Sequence, residues 1–453
     1  MVVLDLKILG GHIVDSHNIY EADLLIDEGV IKGILKDASS VSTEETINAE
    51  RMLIMPGVID AHVHFWDPGY TQREDWHSGT ESAAAGGVTT VIDMPTTSSP
   101  PTTTVESFEI KKHSAEKKAI IDYGFHAGAT PDTIEEIPKL AKMGVASFKM
   151  LMHETTREMK KVETIDMVKI FQLLSENKRV GTVHAEDPMV TMIKKEIKEK
   201  RAKDPIAHSE LRPKVAEAIA VYTAVSLSRE FNAYLHVAHV SAKESVAILQ
   251  NVLGQKVTAE TCPHYLLFTK EDMKRLGPYL KVNPPLRTVE DREALWEGIR
   301  KGVITLIATD HCPFSKGEKE AGYKNIWESK SGIPGVETLL PLMLTEGNKR
   351  GMSYAELVSL LCHNPARTFG LDHRKGFIKV GYDADLVIVD PRKKVVISAD
   401  NMHTKCEYTP YENYTARGYP TRTIVRGKTV MEHGDIKSKP GTGKYVPSHS
   451  RQP

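Results

Sequence analysis

Val58-Ile59-Asp60-Ala61-His62-Val63-His64 is an apolar run that ends in two imidazoles two residues apart. Side chains on an extended strand alternate between faces, so His62 and His64 project from the same face. They are then near enough to hold one metal ion, with Asp60 two residues earlier on that face. A lone His-x-His has an ordinary alternative, two satisfied polar side chains. The pattern gains weight because further candidate ligands end later apolar runs, in Val183-His184-Ala185-Glu186, Val237-Ala238-His239-Val240-Ser241 and Ala308-Thr309-Asp310-His311. Short apolar runs from Val88 to Asp93, Ala146 to Met152, Val180 to His184, Leu235 to Val240 and Ile304 to Asp310 alternate with longer helical patterns. Polar residues gather where the runs end. This is the pattern of a parallel α/β barrel, in which chemistry sits at the C-terminal ends of the strands.

Outward from that centre the texture changes. The first fifty residues alternate apolar and polar side chains, as in Asp5 to Leu9 and Ala22 to Ile26, with breaks at Gly10-Gly11, Asp27-Glu28-Gly29 and Lys36-Asp37. A similar alternation returns in Gly376 to Gly381, Ala384 to Val389 and Thr423 to Val430. Strands at both termini need partners, so the economical arrangement is one β module built from residues 1–55 and 373–453, with the barrel, residues 56–372, inserted between them. The tail beyond Lys437, rich in Lys, Gly, Pro and Ser, reads as disordered.

The chain has 453 residues, enough for a large barrel with an attachment. Its 59 Lys and Arg against 60 Asp and Glu leave a formal charge of −1, which removes the electrostatic basis for binding nucleic acid or an anionic membrane. Cys262, Cys312, Cys362 and Cys406 are far apart and form no Cys-x-x-Cys pair, the distribution of free thiols in a reducing cytoplasm. There is neither a secretory signal nor an apolar stretch long enough to span a membrane, so a cytoplasmic location is expected.

Ala146-Ser147-Phe148-Lys149-Met150-Leu151-Met152 carries one lysine in the middle of an apolar strand. Two readings are open. The lysine could pair with a barrel carboxylate. Alternatively, a desolvated amine of depressed pKa could condense with carbon dioxide to a carbamate, whose two oxygens could bridge two divalent ions.

The chain resembles the cyclic amidohydrolases, a group containing allantoinases, hydantoinases or dihydropyrimidinases, and dihydroorotases. The resemblance runs along essentially the whole chain. It rests on Pro56 to His64, Gly79-Thr80 through Ala85-Gly86-Gly87-Val88-Thr89-Thr90, Ser147-Phe148-Lys149, Val183 to Glu186, His236 to Ser241, Glu260 to Leu266, Asn283-Pro284-Pro285-Leu286-Arg287 and Thr309 to Phe314. It implies a metal-bearing (β/α)8 TIM barrel with a small β-sandwich made from both termini, and homo-oligomers, dimers or tetramers. It also implies that His62 and His64 ligate one ion, His184 and His239 a second, and Lys149, as N6-carboxylysine, bridges them. Asp310 would ligate the first ion and act as the acid and base; His236 would be structural. Zinc suits this donor set, and manganese, cobalt or iron could replace it. For the substrate, the resemblance points to backbone groups near Asn283 and Ser331, with His153 and His264 as further candidates.

The ring is harder to assign. The residue after the His-x-His-x segment that in dihydroorotases holds a carboxylate is here Trp66, and an indole cannot neutralise one. Hydantoinases resemble the chain at Thr309 to Phe314 and Gly332 to Glu337, yet generally carry a tyrosine after the bridging lysine; here His153 is the comparable donor. Allantoinases resemble it at His64 to Gly69, Asp93-Met94-Pro95 and Thr261 to Tyr265, with Thr96-Thr97 in place of the more usual Leu-Asn. The expected order is therefore allantoin, then hydantoins or dihydropyrimidines, then dihydroorotate. The alternative outside enzymology is a metal-free scaffold relative, which retention of all six candidate ligands opposes.

Overall fold

The computed structural model describes residues 3–155, 158–191 and 195–450. Among these residues the central apolar runs form eight parallel strands. They are Val58–Val63, Val88–Asp93, Asp122–Phe125 resumed at Ala127–Gly128, Phe148–Leu151, Val180–His184, Tyr234–Val237, Val257–Thr261 and Leu306–Ile307. Each pairs in parallel with the next. A parallel bridge between Val63 and His311 closes the ring, with the His64 N–H donating to the His311 carbonyl at 2.8 Å. The first five strands are buried along their whole length, which is why they read as apolar runs rather than as an alternation.

One main helix follows each strand: Trp76–Ala85, Val105–Lys118, Ile137–Lys142, Thr164–Glu176, Lys214–Glu230, Lys243–Gln250, Val289–Arg300 and Leu339–Lys349. Local chemistry sets their starts. Asp75 accepts from the N–H groups of His77 and Ser78, and Thr104 from that of Ser107. Gly79 lets the first helix lie against Phe65, since a Cβ there would come within 2.6 Å of the ring. The fold is thus the expected (β/α)8 barrel.

Both ends of the chain meet in one nine-stranded sheet. Leu53–Pro56 is the joint, parallel to Leu4–Val14 on one side and antiparallel to Leu386–Val396 on the other. A buried charge cluster fastens this sheet to the barrel. The Lys375 ammonium, 1% exposed, meets carboxylates of Asp122 on the third barrel strand and of Asp383 and Asp385 beside the sheet.

Three details depart from the sequence reading. Gly10-Gly11 does not end a strand: Leu4–Val14 runs through it with a bulge, Gly10 taking φ +69°. Gly376 to Gly381 is turn rather than strand; both glycines have positive φ, and burial of the neighbouring Lys375 among three aspartates dictates the path. The tail beyond Lys437 is docked through residue 450. Tyr445 stacks on Phe125 with centroids 5.4 Å apart, Val446 is buried, and the Val446 N–H bonds to Tyr123 at 2.8 Å. Composition pointed to disorder because a few contact residues among many polar ones leave no period.

Candidate active site

At the C-terminal ends of the barrel strands lies a cavity of about 730 Å³, lined among others by His62, His64, Lys149, His184, His239 and Asp310. All six are buried. The first strand delivers His62, with His64 one residue past its end, the fourth Lys149, the fifth His184 as its last residue; His239 and Asp310 follow the sixth and eighth. Those last two have φ of +40° and +49°, left-handed values that non-glycine residues seldom adopt. Such strain gathers where side chains must be aimed.

Asp310 Oδ1 lies 3.2 Å from His62 Nε2 and 3.0 Å from His64 Nε2. The His62 and His239 rings are 5.4 Å apart and those of His184 and His239 4.5 Å, so four imidazoles and one carboxylate face a common space. Two buried nitrogens there have no hydrogen-bond partner among the described residues, Lys149 Nζ and His239 Nδ1. The ion pair considered for Lys149 is therefore not made. Burial drives its pKa down to about 8, although Glu260 and Asp310 oppose the shift, so part of the population is a free amine near neutral pH. Burial likewise keeps His239 well below the usual imidazole value and His64 down at about 4. Neutral imidazoles have a lone pair to offer a metal ion.

Neighbours aim these side chains. Glu260, on the seventh strand, bonds to His62 Nδ1 and, at 3.0 Å, to His236 Nε2. This leaves His62 Nε2 turned toward Asp310, the support that metal-binding histidines generally have. His236 is occupied by Glu260 and Thr258 and does not line the cavity. Asp60 accepts from the Thr309 N–H at 3.1 Å and from its hydroxyl, tying the first strand to the turn that carries Asp310. Glu186 accepts from Arg212 and lies 2.9 Å from His184 Nε2.

Asn283 and Ser331 line the cavity, whereas His153 and His264 do not. His153 stacks behind His184 at 4.9 Å and accepts from Arg212 at 2.6 Å. His264 packs against Tyr265 with centroids 4.1 Å apart. The sequence reading passed over Tyr70, Arg73, Glu154 and Glu158, which share the wall. Arg73 lies 4.3 Å over Trp66 and 4.9 Å over Phe314, and donates to both oxygens of Glu318. The Trp66 N–H is already given to Pro313 at 2.8 Å. Glu260 stood in the sequence only as the start of the Glu260 to Leu266 motif; in Val257-Thr258-Ala259-Glu260-Thr261 nothing local marks it as the support of His62.

The amidohydrolase family pattern matches residues 53–430. The chain belongs to the amidohydrolase family. A dihydroorotase of Methanosarcina acetivorans is 37% identical to this amidohydrolase over 98% of this chain and 95% of its own. An allantoinase of Rubrobacter xylanophilus is 38% identical over 98% of both chains. The solved structure of an L-hydantoinase (dihydropyrimidinase) from Arthrobacter aurescens superposes with a TM-score of 0.95 at 35% identity, covering 98% of this chain and all of that one. This amidohydrolase is thus an enzyme of cyclic amides. No helix among its described residues is long and apolar enough to cross a membrane.

Proposed function

We propose that this amidohydrolase opens the ring of a cyclic ureide, allantoin first among the candidates, at a centre of two divalent ions, zinc before manganese, cobalt or iron. One observation carries the hydrolytic reading: the buried Lys149 amine lines a cavity with four imidazoles and a carboxylate, and has no partner there. A lysine kept for an ion pair would have its carboxylate. One kept for carbamylation by carbon dioxide needs a free amine. His62, His64 and Asp310 would hold one ion, His184 and His239 the other, and the Lys149 carbamate both. Bound there, the ions supply an acidified water and a Lewis acid for the amide carbonyl.

The chain's own part in the reaction is proton management and orientation. Asp310 takes the proton released on attack and returns it to the ring nitrogen as the C–N bond breaks. Glu260 keeps His62 facing that carboxylate, and the Thr96 and Thr97 hydroxyls lie 3.3 and 3.4 Å from His64 Nδ1.

The wall chemistry favours a polar substituent on the ring. Trp66 and Phe314 offer flat apolar surface, while Arg73, Glu154 and Glu158 add donors and acceptors. A ureido group carries both N–H and C=O and matches that mixture better than an alkyl or aryl group. A carboxylate would meet two glutamates and an arginine already neutralised by Glu318. The test is turnover of allantoin, hydantoin, dihydrouracil and dihydroorotate by zinc-loaded protein, with metal per chain measured alongside. Allantoin is expected to give the highest kcat/KM, and preference for dihydroorotate overturns the ranking. Absence of both bound metal and turnover would leave the scaffold reading standing.

A further inference from the structure

Two more lysines are buried beside the site: Lys281, which lines the cavity, at 5% exposure, and Lys319, behind the wall, at 0%. Elsewhere in the molecule buried lysines meet carboxylates: Lys111 meets Asp93, and Lys375 meets three aspartates. Among the described residues Lys281 and Lys319 meet none. Each Nζ instead donates to three backbone carbonyls. Lys281 reaches Ile326 at 2.8 Å, Trp327 at 3.4 Å and Ser329 at 2.5 Å. Lys319 reaches Lys281 at 3.0 Å, and Lys330 and Gly332 at 2.9 Å each. Three carbonyls match the three N–H donors of an ammonium, and their dipoles oppose the burial that pushes Lys281 down to about 7 and Lys319 well below the usual lysine value; as a free amine each still donates to two of them.

Five of these six carbonyls belong to the segment 326–332, which brings Trp327, Ser329, Lys330 and Ser331 to the cavity. The sixth is that of Lys281, two residues before Asn283, and it also accepts the Gly332 N–H at 2.9 Å. The Lys330 carbonyl and the Ser331 N–H are two ends of one peptide plane, so the Lys319 bond sets where that N–H points. Among the described residues neither the Ser331 N–H nor the Asn283 carbonyl has a hydrogen-bond partner. A ring amide, held cis by closure, offers an N–H and a carbonyl on one edge and needs an acceptor and a donor in return. A carboxylate counter-ion for either lysine would put negative charge beside the ring oxygen that gains electron density during attack, whereas carbonyl acceptors do not.

We propose that Lys281 and Lys319 are positioning residues, a pair of carbonyl clamps that fix the Ser331 N–H and the Asn283 carbonyl as donor and acceptor for the ring amide of the substrate. The proposal rests on the reading that this cavity opens a cyclic amide. Lys319→Met and Lys281→Met, with the exposed Lys324→Met as control, are to be compared with the parent protein loaded with zinc. The readouts are zinc per chain, kcat and KM for hydantoin and dihydrouracil, calorimetric affinity for N-carbamoylglycine, and hydrogen exchange along the chain. The clamp predicts unchanged zinc, KM raised about tenfold or more against a kcat within about threefold, product affinity weakened to match, and amide exchange accelerated at least tenfold in residues 326–332 alone. Folded variants with unchanged KM and unchanged exchange in that segment overturn it. If Lys319→Met does not fold, the milder Lys281→Met decides by the same measurements. Should the parent turn over no cyclic amide, the functional reading fails by itself, and hydrogen exchange still decides whether the clamp exists.

Discussion

Lys375→Met is the sharpest test of how barrel and terminal sheet are held together. The substitution keeps the side-chain volume and removes one buried ammonium from Asp122, Asp383 and Asp385. The three carboxylates do not suffer equally. Asp383 keeps Arg374 at 2.7 and 2.9 Å, and Asp122 keeps Arg426 and the Lys444 N–H. Among the described residues Asp385 keeps only the Arg426 N–H, at 2.8 Å. Stranding one buried charge costs about 3–5 kcal/mol. Unfolding entropy of about 2.1 cal/mol/K per residue gives roughly 0.95 kcal/mol/K for 453 residues, hence a fall in Tm of about 3–5 °C if the molecule unfolds as one unit. Burial already raises the Asp385 pKa, and loss of Lys375 raises it further. A carboxyl whose folded pKa exceeds its unfolded value destabilises the fold increasingly as pH rises through that interval. The deficit of the variant should therefore shrink as pH is lowered toward the range of an unfolded aspartate. Thermal scans of the parent, Lys375→Met and the Lys375→Met/Asp385→Asn double variant along that descent in pH check this. A single variant within 1 °C of the parent, or a double variant no better than the single, refutes the reasoning.

Four further outcomes follow from the site and the tail. Lys149→Ala should abolish activity and bind less than its full complement of zinc, with short carboxylic acids restoring part of both; full activity in that variant excludes the carbamate. Because carbamylation uses the free amine and burial sets the Lys149 pKa near 8, zinc loading of metal-free protein under carbon dioxide should be faster at pH 8.5 than at pH 6.5, and equal rates count against the mechanism. Asp310→Asn should fold, since asparagine tolerates φ of +49°, yet lose about a hundredfold to ten-thousandfold in kcat; a loss under tenfold removes Asp310 from proton transfer. Tyr445→Ala removes the stack on Phe125 and bonds to the Met143 and Gly144 carbonyls, and should lower stability by about 3 kcal/mol with kcat unchanged; an unaltered Tm means the docked tail adds nothing.

Much of this was legible in the chain itself. Strands buried on both faces must be apolar throughout, so any charged or imidazole side chain within such a run or at its end needs a reason. His62, His64, Lys149, His184, His239 and Asp310 stood out on that ground, and the alternating termini announced a separate sheet. Local period and composition determine such features because they depend on a residue and its near neighbours. What surrounds each of these side chains depends on which distant segments the fold brings together, and only the tertiary structure decided it. Glu260 reaches His62 across 198 positions of sequence, and the Lys281 and Lys319 amines find carbonyls 11 to 48 positions away. Arg73 comes to lie over Trp66 although nothing in either residue marks the pair. The tail shows the same limit from the other side: a polar composition predicts disorder, but Tyr445 and Val446 suffice to dock it once the barrel has built Phe125 and Tyr123 beneath them. Side chains that do chemistry declare themselves by being costly to bury, whereas the groups that aim them are ordinary residues made specific by position alone.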